Sequence, residues 1–78
     1  MFSSLGSGCL TLSFDAVKTD DYIVEVNNLL GQTIYTERMS GFGGQYSKQI
    51  NLSESGSGVY FIELKNIQSI AVKKIVVR

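Results

Sequence analysis

The sequence contains no histidine, no proline and no tryptophan, and Cys9 is its single cysteine. Without histidine there is no Ser-His-Asp triad, no Cys-His pair and none of the usual zinc sites that need an imidazole. One cysteine excludes an internal disulfide, so the fold must be held by its own core. With no histidine to activate it, Cys9 reads as a strand residue rather than a nucleophile. Charge of neither sign predominates: lysine plus arginine number 7, as do aspartate plus glutamate, and no run of like charges occurs. Phosphate binding needs a clustered excess of cations, which argues against nucleic acid as a partner. Apolar runs are short as well, Ile75-Val76-Val77 being typical, and none approaches the ~20 residues of a membrane-spanning helix. Met1 to Gly8 lacks the basic and apolar regions of a secretory signal, so an export signal is expected in a longer parent protein.

No cofactor site is written in the sequence. The glycines at Gly41-Phe42-Gly43-Gly44 and Gly56-Ser57-Gly58 fit neither a phosphate-cradling loop nor a dinucleotide fingerprint, and no helical pattern follows them. Asp15, Asp20 and Asp21 lack the spacing of a calcium loop and read as solvated turn acids. Asn51-Leu52-Ser53 is formally a glycosylation sequon of little weight.

What is present is a β pattern. The 78 residues make one domain, and 44% hydrophobic content is that of a folded chain. Met1 to Gly8, rich in glycine and serine, reads as a flexible lead-in or linker remnant, and residues 9–78 as the folded module. Leu10, Leu12 and Phe14 alternate with Thr11, Ser13 and Asp15, which predicts a strand with one buried face. Ala16 to Asp21 reads as a polar turn, and Tyr22, Val24 and Val26 mark a second strand. Asn27 to Gln32 predicts a reversal, with Leu29 or Leu30 plugging the end of the core. Thr33 to Arg38 is a third strand, in which Ile34 and Tyr35 compete for the inward face. Met39 to Gly44 reads as a glycine-rich loop with Phe42 at its tip, and Tyr46, Lys48, Ile50 and Leu52 share one face of a fourth strand.

After the turn at Ser53 to Gly58, Tyr60, Ile62 and Leu64 point inward from a fifth strand. Tyr60, just after a glycine turn, has the placement of a tyrosine corner, with its ring inward and its hydroxyl on nearby backbone. Asn66-Ile67-Gln68 is a short hairpin turn, and Ser69 to Arg78 is the last strand. Its Lys73-Lys74 pair reads as one exposed and one snorkelling side chain on an edge strand, or else as a recognition feature. Six strands at intervals of roughly 8–12 residues predict an all-β antiparallel sandwich or small barrel, the sandwich being favoured. A seventh short strand has room in Phe42 to Tyr46 or in the lead-in.

Three blocks then stand in order: Val26-Asn27-Asn28-Leu29-Leu30-Gly31-Gln32 with Ile50-Asn51-Leu52, Gly58-Val59-Tyr60-Phe61-Ile62, and Val72-Lys73-Lys74-Ile75-Val76-Val77-Arg78. Together they resemble the C-terminal sorting domain, type A, of the type IX (Por) secretion system of Bacteroidetes-type Gram-negative bacteria. The resemblance spans about Leu10 to Arg78. It implies an immunoglobulin-like antiparallel β-sandwich of six to seven strands that is not an enzyme. It also implies a role as an address: the domain directs an N-terminal cargo domain through the periplasm and across the outer membrane. The partners implied are the outer-membrane translocon and a sortase-like peptidase, with the cargo secreted or held at the cell surface. Gly31, Gly58, Tyr60, Lys73 and Lys74 match the family's motifs and are the recognition candidates. The family usually opens with a Pro-Asn-Pro segment, which this proline-free chain lacks.

A carbohydrate- or protein-binding accessory module of a secreted enzyme is the alternative, since one fold hosts many functions. It would need an exposed aromatic platform, for which Tyr35, Phe42 and Tyr46 are the candidates. A structural spacer is disfavoured because Arg78 ends the chain. An unprotected edge strand would allow a monomer or a weak dimer formed by strand addition.

Overall fold

The computed structural model describes residues 2–6 and 8–77. Met1 and Ser7 of the expected lead-in, and Arg78 of the last block, lie outside the described residues. The elements are β1 (Phe2–Gly6), β2 (Cys9–Asn28), β3 (Thr33–Asn51), one turn of 3-10 helix (Ser53–Ser55), β4 (Gly58–Lys65) and β5 (Ile70–Val77). All pairings are antiparallel. They form one five-stranded sheet in the order β1-β2-β4-β5, with β3 on β2.

The described residues are all-β and antiparallel, as expected, but form five strands rather than six to seven. The two segments read as a polar turn and a glycine loop are bends within continuous strands. β2 runs through Ala16 to Asp21 and β3 through Met39 to Gly44. At the bend Ala16 faces Gly44 and Asp20 faces Phe42, so Val17, Lys18 and Thr19 stand against Gly43 alone. The two strands approach so closely there that a Cβ on Gly43 would lie 2.7 Å from Thr19 Oγ1. A bulge of this kind bends a ladder without breaking it, and its polar and glycine residues resemble those of a turn. Phe2–Gly6, part of the expected lead-in, pairs with Cys9–Ser13.

Parity explains the core. Leu10, Leu12, Phe14 and Ala16 on one arm of β2, and Tyr22, Val24 and Val26 on the other, are all even-numbered and all buried. They share one face of one strand, and the bend turns that face upon itself. Tyr46, Ile50 and Leu52 join from β3 and beyond, and Tyr60, Ile62 and Val77 from β4 and β5. Six of these side chains are essentially sealed from solvent: Leu10, Leu12, Leu52, Ile62, Val24 and Val26. Each contributes about 1.5–3 kcal/mol by burial. The rings of Phe14, Tyr22, Phe42 and Tyr46 fill the bend, with centroids 5.0 Å apart for Phe14–Tyr46 and 5.4 Å for Phe14–Tyr22. Phe42 is thus part of the packing and not a loop tip.

The two arms of β3 are joined by polar groups. Tyr35 and Tyr46 both donate their hydroxyls to Glu37 Oε1, each at 2.7 Å. These two bonds, with the charge of Lys48 nearby, hold the Glu37 carboxyl below its ordinary value of 4.5. Burial, and then the bond to Glu37, pushes Tyr46 well above its usual 10. Ile34 and Tyr35 both pack half-buried against the core, beside a register shift between Val26 and Asn27. Tyr35 faces buried Val26, while Ile34 sits at the irregularity.

Candidate recognition surface

Tyr60 lies at the entry to β4. Its ring is buried, and its hydroxyl donates to the Gly56 carbonyl at 2.6 Å, with the Ser55 carbonyl at 3.0 Å. This is the tyrosine-corner geometry expected from the sequence. It ties the 3-10 turn to β4, and Gly58, which opens the strand, pairs with Val77 of β5. Inward, Ile62 is sealed and Leu64 half-buried; outward, Glu63 and Lys65 line the opposite face. There Lys65 bonds Glu25 Oε1 and lies 3.9 Å from Glu63. The Glu25 bond raises the Lys65 pKa.

Gly31 lies in the β2–β3 turn at φ +85°, where a Cβ would meet nothing within 4 Å. Its requirement is conformational, since side chains rarely adopt that backbone. Asn28 organises the turn: its Oδ1 accepts the amides of Leu30 and Gln32 at 3.0 and 2.9 Å, and its carbonyl accepts the Gly31 amide at 3.0 Å. The turn is so tight that neither leucine reaches the core. Leu29 is 68% exposed and Leu30 85%, which corrects the expectation that one of them plugs it.

Opposed residues of antiparallel strands share a face, so the register separates the two lysines. Lys74 stands opposite Phe61 on the outer face. Lys73 stands opposite sealed Ile62, on the inward face, yet is itself exposed. Both lysines are exposed. Among the described residues strand β5 is an edge, pairing with β4 alone.

These placements assemble one surface. A cleft of about 290 Å³ is formed by Leu29 and Gly31 of the turn, Phe61 of β4 and Val72 of β5, with Asn27, Asn28 and Glu63. Asn27 Nδ2 donates to Glu63 at 3.0 Å, and its buried Oδ1 has no partner among the described residues. A second cleft of about 260 Å³ joins Leu29 and Leu30 to Gly58, Val59 and Tyr60. Gly31 borders the first cleft and Gly58 and Tyr60 the second, with Asn28 and Leu29 lining both; Lys74 stands opposite Phe61, which lines the first. Lys73 lies on the other face of the strand. Among the described residues, most exposed large hydrophobics belong to this region or the neighbouring turn: Leu29, Leu30, Ile67, Ile70, Val72 and Val76. Such a concentration marks an interaction surface. The signal for it was present in the alternation itself: with Tyr60 and Ile62 inward, Val59 and Phe61 must face out.

The proposed aromatic platform is not on the surface. Tyr46 is 7% exposed, and Tyr35 and Phe42 pack against the core. Cys9 is a half-buried strand residue. Among the described residues no three cysteine or carboxylate groups converge as a metal site. Asp21 instead accepts the Gly41 amide at 2.8 Å.

A small all-β module with an apolar face beside an exposed lysine is equipped to be recognised. The family model of the secretion system C-terminal sorting domain matches residues 6–78, and the chain belongs to that family. It is a C-terminal secretion signal of the type IX system, which marks proteins for the cell surface or for release. A sorting domain of this family is not catalytic and works by interacting with the secretion machinery. No helix of the described chain is long and apolar enough to cross a membrane. No curated protein matches the chain.

Proposed function

We propose that the export machinery reads this domain on the outer face of the β4–β5 hairpin and the adjoining β2–β3 turn. Gly31, Gly58 and Tyr60 hold the two clefts in shape, while Lys74 supplies the charge that is read on this face and Lys73 a second charge on the opposite face of β5. The single observation that carries this reading is the clustering of exposed Leu29, Leu30, Val72 and Val76 around Lys74 and Phe61. The reader is the outer-membrane translocon, after which a sortase-like peptidase cuts between cargo and domain. Residues 9–78 are the sorting unit, and residues 1–8 join it to a cargo domain. The curled sheet is a variant of the immunoglobulin-like sandwich, with its two layers made from the two arms of β2 and β3. The domain acts as a monomer or a weak dimer.

The test is a secretion assay. Residues 1–78 are fused behind a periplasm-targeted reporter in a host with a working type IX system. The wild-type fusion is expected outside the cell, and a Lys74→Ala fusion is expected to accumulate in the periplasm. Because Lys74 is exposed, that change should shift stability by less than about 0.5 kcal/mol. Export of the Lys74→Ala fusion at the wild-type level would remove Lys74 from the recognition surface. A wild-type reporter retained in the periplasm with its domain folded would reject the reading.

A further inference from the structure

Strand β5 pairs with β4 without a register shift, from Gly58↔Val77 to Lys65↔Ile70. No described strand lies on its other side, so alternate backbone amides and carbonyls face outward unpaired. Edges of this kind are normally blunted by proline, a bulge or scattered charge. Here proline and bulge are both absent, and the only charges are two adjacent lysines among Ile70, Ala71, Val72, Ile75, Val76 and Val77. Adjacency places one lysine on each face. Beside Ala71 opens a cleft of about 150 Å³, lined by the apolar Phe14, Tyr22 and Leu64 together with Asp15, Asn66 and Ser69.

We propose that the free edge of β5 is a docking strand. It takes an extended segment of a partner protein that adds antiparallel to it, with one acidic side chain opposite Lys73, another opposite Lys74, and an apolar side chain directed at the cleft beside Ala71. Backbone pairing supplies affinity in such complexes, and the alternating side chains supply choice of partner. Opposite charges facing across strands are favourable and like charges are not. A second copy of this chain does not satisfy the site: β5 contains no acid, so no register of β5 on β5 neutralises either lysine. Centring the pair on Lys73 or Lys74 sets lysine against lysine. The inference rests on the sorting reading for the partner's place in the cell, although strand addition itself is measured on the purified chain.

The probe is an acetylated, amidated peptide, Val-Thr-Val-Glu-Glu-Thr-Leu-Thr, with a control in which both glutamates are lysine. Amide exchange of the 78-residue chain is followed residue by residue. With the acidic peptide at ten times its dissociation constant, the outward β5 amides are expected to exchange about tenfold more slowly. The lysine peptide is expected to bind more weakly by up to about fivefold for each lysine it opposes. A Lys73→Glu/Lys74→Glu chain should reverse the preference. Both positions are exposed, so its fold is checked by unchanged exchange in β2 and β3. Equal protection by the two peptides, or protection by neither, overturns the proposal. So does β5 protection that grows with protein concentration alone, which would identify a second copy as the occupant. Secretion of the wild-type fusion reports separately on the sorting reading, so a peptide that fails to bind leaves that result standing.

Discussion

At Glu37 one carboxylate oxygen receives two phenol hydroxyls, from Tyr35 and Tyr46, at 2.7 Å each. Hydrogen bonds to the charged form favour it, which is why the Glu37 pKa lies below 4.5. A group whose folded pKa is depressed contributes stability that is present above the unfolded value and lost as pH falls through the folded one. The midpoint temperature is therefore expected to fall on acidification from about pH 4.5, with a shallower acid limb in Glu37→Gln. Thermal unfolding of both chains from pH 7 to pH 3 checks this, and parallel curves would remove Glu37 from the account. Neither the bonding nor the sign was legible in the sequence, where Glu37 is an ordinary strand acid. Tyr46 is nine residues from Glu37 along β3, and only the bend carries it back to the carboxylate.

For the elements, the lesson is that residues which end a strand and residues which bend one look alike. Asp20, Asp21, Gly41 and Gly44 have the composition of strand breaks, yet they lie within β2 and β3, where the ladder bends. The β2–β3 and β4–β5 reversals differ in carrying an asparagine that organises the backbone. Asn28 does so between β2 and β3, and Asn66 between β4 and β5. Asn66 Oδ1 accepts the Gln68 amide at 2.9 Å and the Ser69 amide at 2.7 Å, while the Asn66 amide donates to the Ser69 carbonyl at 3.0 Å. Asn66→Ala removes these side-chain bonds, and the one from Ser69 Oγ at 3.1 Å, at a cost of about 1–2 kcal/mol. Exchange should accelerate first at Lys65 and Ile70, which pair next to the turn, and less at the Gly58–Val77 end. Uniform acceleration along the hairpin would show that the turn does not secure its near end.

Across the whole molecule, one small core supports everything else. A chain of this size has roughly 4–12 kcal/mol of stability. Ile62 is sealed at the centre of β4, opposite Val26 and Lys73, and Ile62→Ala should cost about 2–5 kcal/mol. The midpoint in urea is expected to drop by a large part of its wild-type value, with an unchanged slope. Secretion should fail with it, through unfolding. Lys74→Ala is predicted to reduce secretion with the midpoint intact, and the contrast separates an unread signal from an unfolded one.

The alternation of apolar residues by itself determined that the chain is antiparallel β, which faces of β2 and β4 turn inward, and that Tyr60 anchors a corner. Three weak blocks in order also pointed to the sorting-domain family. These features are local, being set by side-chain period and turn chemistry within a few residues. Tertiary structure alone decided that two pairs of expected strands are two long bent ones, that Leu29 and Leu30 face solvent, and that adjacent lysines serve opposite faces of an open edge. Each of those depends on what lies across the sheet, and pairing register joins residues that the sequence keeps far apart.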